Sequence, residues 1–349
     1  MNGKMYSKTV VIAVIAVLLL IGTVNVLIDP LFQYHKPLFG LEPVITSERY
    51  QDAGIAKNFE FDNAVIGNSL SENFVLSELD DALGGKTVKL TASGSHALDW
   101  TYILKLLSRR APQTKTVLCN LDPYIFAASH TELKHYLPDY LYDRFLLNDV
   151  NYLFNFTILG YFTLDTLKKN KNGNIPDYDR FEVWDDDVEY GRDVVLKNYK
   201  RAEISEDPRD TSDYTENIAD NIALLIPYFE KMPDTDFVFF FSPFSMLFWD
   251  SQIRSGSVQM QKAGYLKACE MLSEYDNVRL YLWTDDQMFG IMGDLDHYID
   301  EAHYDPEVCS VIARRIKVGQ GLLTRENYKE EVDKFFDFIY SFDYDSLFE

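Results

Sequence analysis

Polar and apolar positions divide this chain into two regimes. Val10 to Ile21 is unbroken apolar sequence, and the run continues through Val24, Val26, Leu27 and Ile28 before Asp29-Pro30 ends it. About 20 residues therefore lie between Lys8 and Asp29, enough to cross roughly 30 Å of hydrocarbon. Beyond it, short apolar strands alternate with helical patterns. The predicted strands are Asn63–Ile66, Val88–Leu90, Thr116–Cys119, Phe237–Phe241 and Val278–Leu282. The predicted helices are Ser71–Leu83, one opening at Gly94-Ser95 and running through Leu107, Ile218–Lys231, Val258–Tyr275, Pro306–Val318 and Tyr328–Tyr340. Strand, turn and helix in succession predict an α/β fold, a parallel sheet with helices on its faces.

The alternation breaks between about residues 124 and 213, an aromatic and then acidic stretch with a helical pattern over Tyr152–Leu167. The expected organisation is a tail at 1–8, an anchor at 9–28 and an irregular juxtamembrane segment at 29–57. An α/β domain follows at 58–349, with an insertion at about 124–213. Lys4 and Lys8 precede the apolar run and Asp29 follows it, so the positive-inside rule leaves the N-terminus cytoplasmic and the main domain outside. A cleaved signal peptide competes with an anchor. The run is longer than a signal core, however, and no small-x-small cleavage site follows it.

Charge narrows the partners. With 55 acidic against 33 basic residues, the net charge of -22 repels phosphate backbones, so no nucleic-acid partner is expected. An anionic membrane surface is likewise an unfavourable dock for the soluble part. Cys119, Cys269 and Cys309 have no CxxC spacing, which gives neither a disulfide framework nor a zinc site. Cys119 reads as a small core residue. The 23 Tyr and 24 Phe fit either ordinary core packing or platforms for sugar rings.

The chemistry-bearing positions sit where a parallel sheet binds ligands, beyond the carboxyl ends of its strands. Ser69 follows the first strand in the turn Gly67-Asn68-Ser69, with Gly67 expected to permit a sharp backbone. Ser69 and Ser71 could equally be helix caps. Gly94 occupies the matching loop after the second strand. Far downstream, Asp300-Glu301-Ala302-His303 places a carboxylate and an imidazole at i,i+3, expected on one helical turn. A serine becomes a nucleophile when an imidazole takes its proton and a carboxylate orients that imidazole. Asn68, Phe244 and Trp249 are candidates for the substrate pocket, core packing being the alternative for the last two.

In this order, Gly67-Asn68-Ser69, Ser93-Gly94 and Asp300-Glu301-Ala302-His303 resemble the SGNH/GDSL hydrolase superfamily over roughly residues 62–320. The likeness extends to membrane-anchored members related to D-alanyl-lipoteichoic acid biosynthesis and polysaccharide O-acetylation proteins. The resemblance implies a flavodoxin-like sheet, Ser69 as nucleophile, His303 as general base and Asp300 as its orienter. It also implies an oxyanion hole from the Ser69 and Gly94 amides. The first block reads Gly-Asn-Ser where the family has Gly-Asp-Ser, and the family's Gly-x-Asn-Asp block is absent. Asn120 or Asp122, after the third strand, takes the place of that third donor.

Two decoys fall away. Asp300-Glu301-Ala302-His303 also spells a helicase DEAH box, but the phosphate loop it needs fails: Asp80 stands where Gly84-Gly85-Lys86-Thr87 would require a glycine. The carboxylates and histidines between Asp294 and Asp305 have no H-E-x-x-H or EF-hand spacing, so neither a metal nor another cofactor is assigned. Asp185-Asp186-Asp187 reads as a solvated acidic turn. The expected function is an extracytoplasmic, membrane-tethered serine acyl-esterase or O-acyltransferase. Its substrate would be a cell-envelope glycan or polyol polymer, with a membrane-bound protein as possible acyl donor. A catalytically weak glycan-binding or assembly factor is the alternative.

Overall fold

The computed structural model describes residues 3–184, 188–205 and 209–349, so the acidic run Asp185–Asp187 lies outside the described residues. The chain divides into two compact units. One comprises Met1–Glu60 and Leu137–Tyr178, the other Phe61–Tyr136 and Asp179–Glu349.

The first unit opens with the helix Gly3–Ile28. Its stretch Tyr6–Ile28, 23 residues, is long and apolar enough to cross a membrane. The helix stops at Asp29, whose left-handed φ of 44° turns the chain and whose carboxylate accepts the backbone N–H groups of Gln33, Tyr34 and His35. Residues 29–57, expected to be irregular, are less so than their sequence suggests, because Glu48–Asn58 is helical. Buried Gln51 fixes that helix by accepting from the Thr46 and Ser47 amides and donating to the Pro30 and Val44 carbonyls. The expected helix at 152–167 is broken into an α-turn at Val150–Leu153, a π-helical turn at Ile158–Thr163 and a helix at Leu164–Asn172. Asn155 causes the break: its side chain captures the Thr157 and Ile158 amides that a continuous helix would use.

The second unit is built on a six-stranded sheet, mostly parallel and flanked by helices. Its strands are β1 (Asn63–Gly67), β2 (Thr87–Thr91), β3 (Thr116–Leu121), β4 (Asp236–Phe241), β5 (Val278–Tyr281) and β6 (Leu322–Leu323). The order is β2-β1-β3-β4-β5-β6, and only β6 runs antiparallel, against β5. β1, β2 and β3 are buried along their whole length, as strands covered on both faces must be. Helix Ser212–Lys231 packs on both Ala97–Leu107 and Val258–Leu272, and Leu76–Leu83 packs on Pro306–Val318. Strand order reverses between β1 and β3, which opens a crevice at the carboxyl ends of those strands.

Candidate active site

Ser69 stands at that crevice. β1 ends at Gly67, and Asn68 starts a single 3₁₀ turn, Ser69–Ser71, by accepting the Leu70 amide at 3.0 Å. Gly67 is required for a reason other than the turn: a Cβ there would meet the Ser71 hydroxyl at 2.6 Å and the Asn120 side-chain oxygen closer still. Glycine lets the Asn120 side chain slide beneath the loop. Asn120, fully buried on β3, then accepts the Asn68 amide at 3.3 Å and the Ser71 hydroxyl at 2.9 Å, and donates to Asn68 Oδ1 at 3.2 Å.

His303 and Asp300 do not lie on a helical turn. Pro306 begins the following helix with Asp305 as its N-cap, so residues 299–303 form a loop closed by the antiparallel bridge Tyr298–Tyr304. The i,i+3 spacing still works, because the Ile299 amide donates across the loop to the His303 carbonyl at 3.1 Å. Asp300 Oδ1 accepts the Ala302 and His303 amides at 2.8 and 2.7 Å, which leaves Oδ2 to His303 Nδ1 at 2.7 Å. His303 Nε2 lies 2.8 Å from Ser69 Oγ. Ser69, more than 200 positions upstream of Asp300 and His303, thus forms with them one continuous hydroxyl–imidazole–carboxylate chain.

Several contacts hold the histidine loop in place. Tyr304 donates its hydroxyl to the Leu70 carbonyl at 2.8 Å, and Asn73 donates to the Tyr304 carbonyl at 2.7 Å. On the other side, Ser245 donates its hydroxyl to the Glu301 carbonyl at 2.8 Å, and Tyr298 donates to the Pro243 carbonyl at 2.7 Å. The loop is therefore tied both to the nucleophile turn and to the segment leaving β4.

Trp184, which the sequence did not single out, covers the imidazole with ring centroids 5.3 Å apart. Its indole donates to Glu72 Oε2 at 2.9 Å and its amide to Asn73 Oδ1 at 2.9 Å. Glu72, 2% exposed, also accepts the Ser93 hydroxyl, which links the cover to the Gly94 loop. Local hydropathy carried no signal for this role. A tryptophan beside an acidic run looks like surface, and only the register with Glu72 and Asn73 brings it inward.

Electrostatics suit an ionised orienting carboxylate. Burial opposes ionisation of Asp300, but the hydrogen bond and charge of His303, with the two backbone amides, outweigh it and hold the pKa below its ordinary value. Glu301 is shifted the other way, upward, by burial and by repulsion from Asp300.

A cavity of about 390 Å³ opens over the serine, lined among others by Asn68, Ser69, Gly94, Phe244, Glu301 and His303. Gly94 adopts a left-handed φ of 66°, which a side chain would strain. An adjoining cavity of about 730 Å³ shares His96, Ile125, Lys134, Ser251 and Gln252 with the first.

Three predicted positions lie elsewhere. Asn120 and Asp122 are not in the cavity wall: they sit beneath the nucleophile turn, 0% and 1% exposed, with the Asn120 amide donating to Asp122 Oδ2 at 2.5 Å. Packing took both side chains inward, where the Asp122 carboxylate accepts from Asn120. Burial pushes the Asp122 pKa up to about 6, against the Ser242 hydroxyl, the Asn120 amide and the charge of His303. Trp249 is wholly buried against Phe248, Tyr265, Phe335 and Phe336, so it is core and not pocket. Away from the cavity, ligand-capable atoms of His297, Asp305 and Glu307 come within 4.8 Å of one another. Asp305 is already committed there, to His297 Nδ1 at 2.9 Å and to the Val308 amide.

No family model matches the chain, and a search of curated proteins finds no match. Among solved structures, the chain is similar to one from Streptococcus pneumonia described as a candidate platelet activating factor. The identity is 11% and the TM-score 0.38, over 78% of this chain and 89% of that one.

Proposed function

We propose that this chain is a membrane-tethered serine acyl-ester enzyme of the SGNH/GDSL kind, working outside the cytoplasm on a cell-envelope glycan or polyol polymer. The observation that carries the reading is the aligned chain from Ser69 Oγ through His303 to Asp300 at the floor of an open cavity. Ser69 attacks the ester or thioester carbonyl while His303 Nε2 takes its proton, and Asp300 holds the Nδ1–H tautomer and stabilises the imidazolium. The Ser69 and Gly94 amides receive the developing oxyanion. The imidazolium then protonates the leaving group, and an acyl-serine remains. Water or an acceptor hydroxyl, deprotonated by His303, attacks that ester and restores Ser69. The sheet order β2-β1-β3-β4-β5 supports a flavodoxin-like frame for this chemistry. The helix Tyr6–Ile28 would tether the domain, its N-terminus cytoplasmic by the placement of Lys4 and Lys8. A membrane-bound protein would be the acyl donor.

One observation favours the weaker alternative, a glycan-binding or assembly factor. The Asn120 amide is spent on Asp122 and Asn68, which leaves the oxyanion without a third side-chain donor from β3. Labelling by a serine-directed fluorophosphonate separates the two readings. The enzyme reading expects a covalent adduct on the native protein, lost in Ser69→Ala and His303→Ala. A folded native protein that takes no label would leave only the binding role.

A further inference from the structure

The first unit carries an apolar surface that the proposed chemistry does not use. Phe145, Leu146, Leu147, Phe156, Tyr161 and Leu164 are each more than half exposed. Isolated exposed apolar residues are ordinary, but these six, with half-exposed Val150 among them, within 20 positions are not. We infer that residues 145–164 lie in the headgroup boundary of the bilayer, beside the point where the anchor helix leaves it. This rests on reading Tyr6–Ile28 as membrane-spanning.

The 23 residues Tyr6–Ile28 rise about 34 Å, slightly more than the roughly 30 Å of hydrocarbon, so the last turn meets the boundary near Ile28. The exposed segment is packed against that end of the helix. Asn25 donates to the Leu153 carbonyl at 3.0 Å and accepts the Thr163 hydroxyl at 2.8 Å, and Tyr152 donates to Asp29 at 2.6 Å. The ring of Phe154 lies so close to Gly22 that a Cβ there would stand 3.0 Å from it. Asn25 is about 4–5 Å along the axis from Ile28, and Gly22 about 9 Å. Interfacial elements bury their apolar face about 5–10 Å into this boundary, which is the depth these contacts impose. Asn25 is itself fully buried, so the contacts satisfy an amide that hydrocarbon would penalise.

Charge agrees with a lipid occupant. Within residues 145–164 the charged side chain is Asp149; Arg144 flanks it on one side and Lys168, Lys169 and Lys171 on the other, with Asp143 beside Arg144 and Asp165 paired to Lys169, on a chain whose net charge is -22. Basic and aromatic residues together are what an anionic headgroup layer attracts.

The test uses the full chain in vesicles of phosphatidylcholine and phosphatidylglycerol. Cys119, Cys269 and Cys309 are buried, so an introduced thiol is labelled selectively. Leu147→Cys, Phe156→Cys and Tyr161→Cys would carry an environment-sensitive fluorophore, with Val14→Cys marking mid-span and Glu230→Cys the exposed control. We expect blue-shifted emission at 147, 156 and 161, quenched most by lipids with a nitroxide near the headgroup. Position 14 should be quenched most by a nitroxide near the chain end, and position 230 by neither. If 14 is quenched while 147, 156 and 161 behave like 230, the interfacial placement is wrong and the anchor stands. If 14 is also unquenched, the anchor reading fails and this inference with it. A blue shift without quenching would place protein on the surface, and would overturn the assignment.

Discussion

The indole of Trp184 lies over the imidazole of His303, centroids 5.3 Å apart and planes 36° from parallel, while its Nε1 is pinned to Glu72. The ring restricts His303 to the orientation in which Nε2 meets Ser69. Aromatic pairs of this kind contribute about 1 kcal/mol, so Trp184→Ala should cost roughly fivefold in kcat/KM. Trp184→Phe keeps a ring and should recover most of it. Ester turnover, read beside a melting curve for each variant, checks this; equal loss in both variants would refute a stacking role.

Asp300→Asn keeps the size of the side chain but removes the charge that fixes the Nδ1–H tautomer. On the proposed mechanism turnover should fall by about 10⁴, as in serine triads that lose this charge, while the fold persists through the amide contacts of Ala302 and His303. Steady-state kinetics on an activated ester provide the measure.

Asp122 should shape stability against pH. Its folded pKa is raised from 3.8 to about 6, so the folded protein holds the proton more tightly than the unfolded chain. Stability from this group is greatest below about pH 3.8 and declines until the pH has passed about 6, by on the order of 3 kcal/mol. Asp122→Asn removes that slope. The melting temperature of the variant relative to wild type should therefore rise between pH 4 and pH 7, measured by calorimetry; a constant difference would contradict the raised pKa.

Gly94→Ala combines backbone strain with crowding. At φ 66° a side chain costs about 1–2 kcal/mol, and its Cβ would stand 2.9 Å from His135 Nε2. Melting should drop accordingly. On the proposed mechanism, in which the Gly94 amide meets the oxyanion, turnover should fall more than tenfold at temperatures where the variant is fully folded.

Elements with a strong local signature were legible in the sequence. The apolar runs of β1 through β5 mark strands whichever neighbours they find, and Asp305-Pro306 announces its helix. β6, two residues long, has no pattern to read. The helix Glu48–Asn58 was hidden because it is held by the Gln51 hydrogen bonds rather than by an apolar stripe. In the site, Ser69, Asp300 and His303 were visible because their chemistry constrains residue type and spacing. Asn120, Asp122 and Trp249 were misplaced for one reason: strand and helix position locate a residue along an element, while its depth depends on what packs above it. Trp184 is held over the imidazole by contacts with Glu72 and Asn73, more than 100 positions away.

The proposed function requires the Ser69 hydroxyl to be a nucleophile. The most direct measurement is the intact mass of the protein, quenched in acid after brief exposure to p-nitrophenyl acetate, followed by peptide mapping. One acetyl group on the peptide carrying Ser69, absent from Ser69→Ala and greatly slowed in His303→Ala, is the predicted result. A folded protein that stays unmodified at Ser69, or that acquires the same acetyl group in Ser69→Ala, would contradict it.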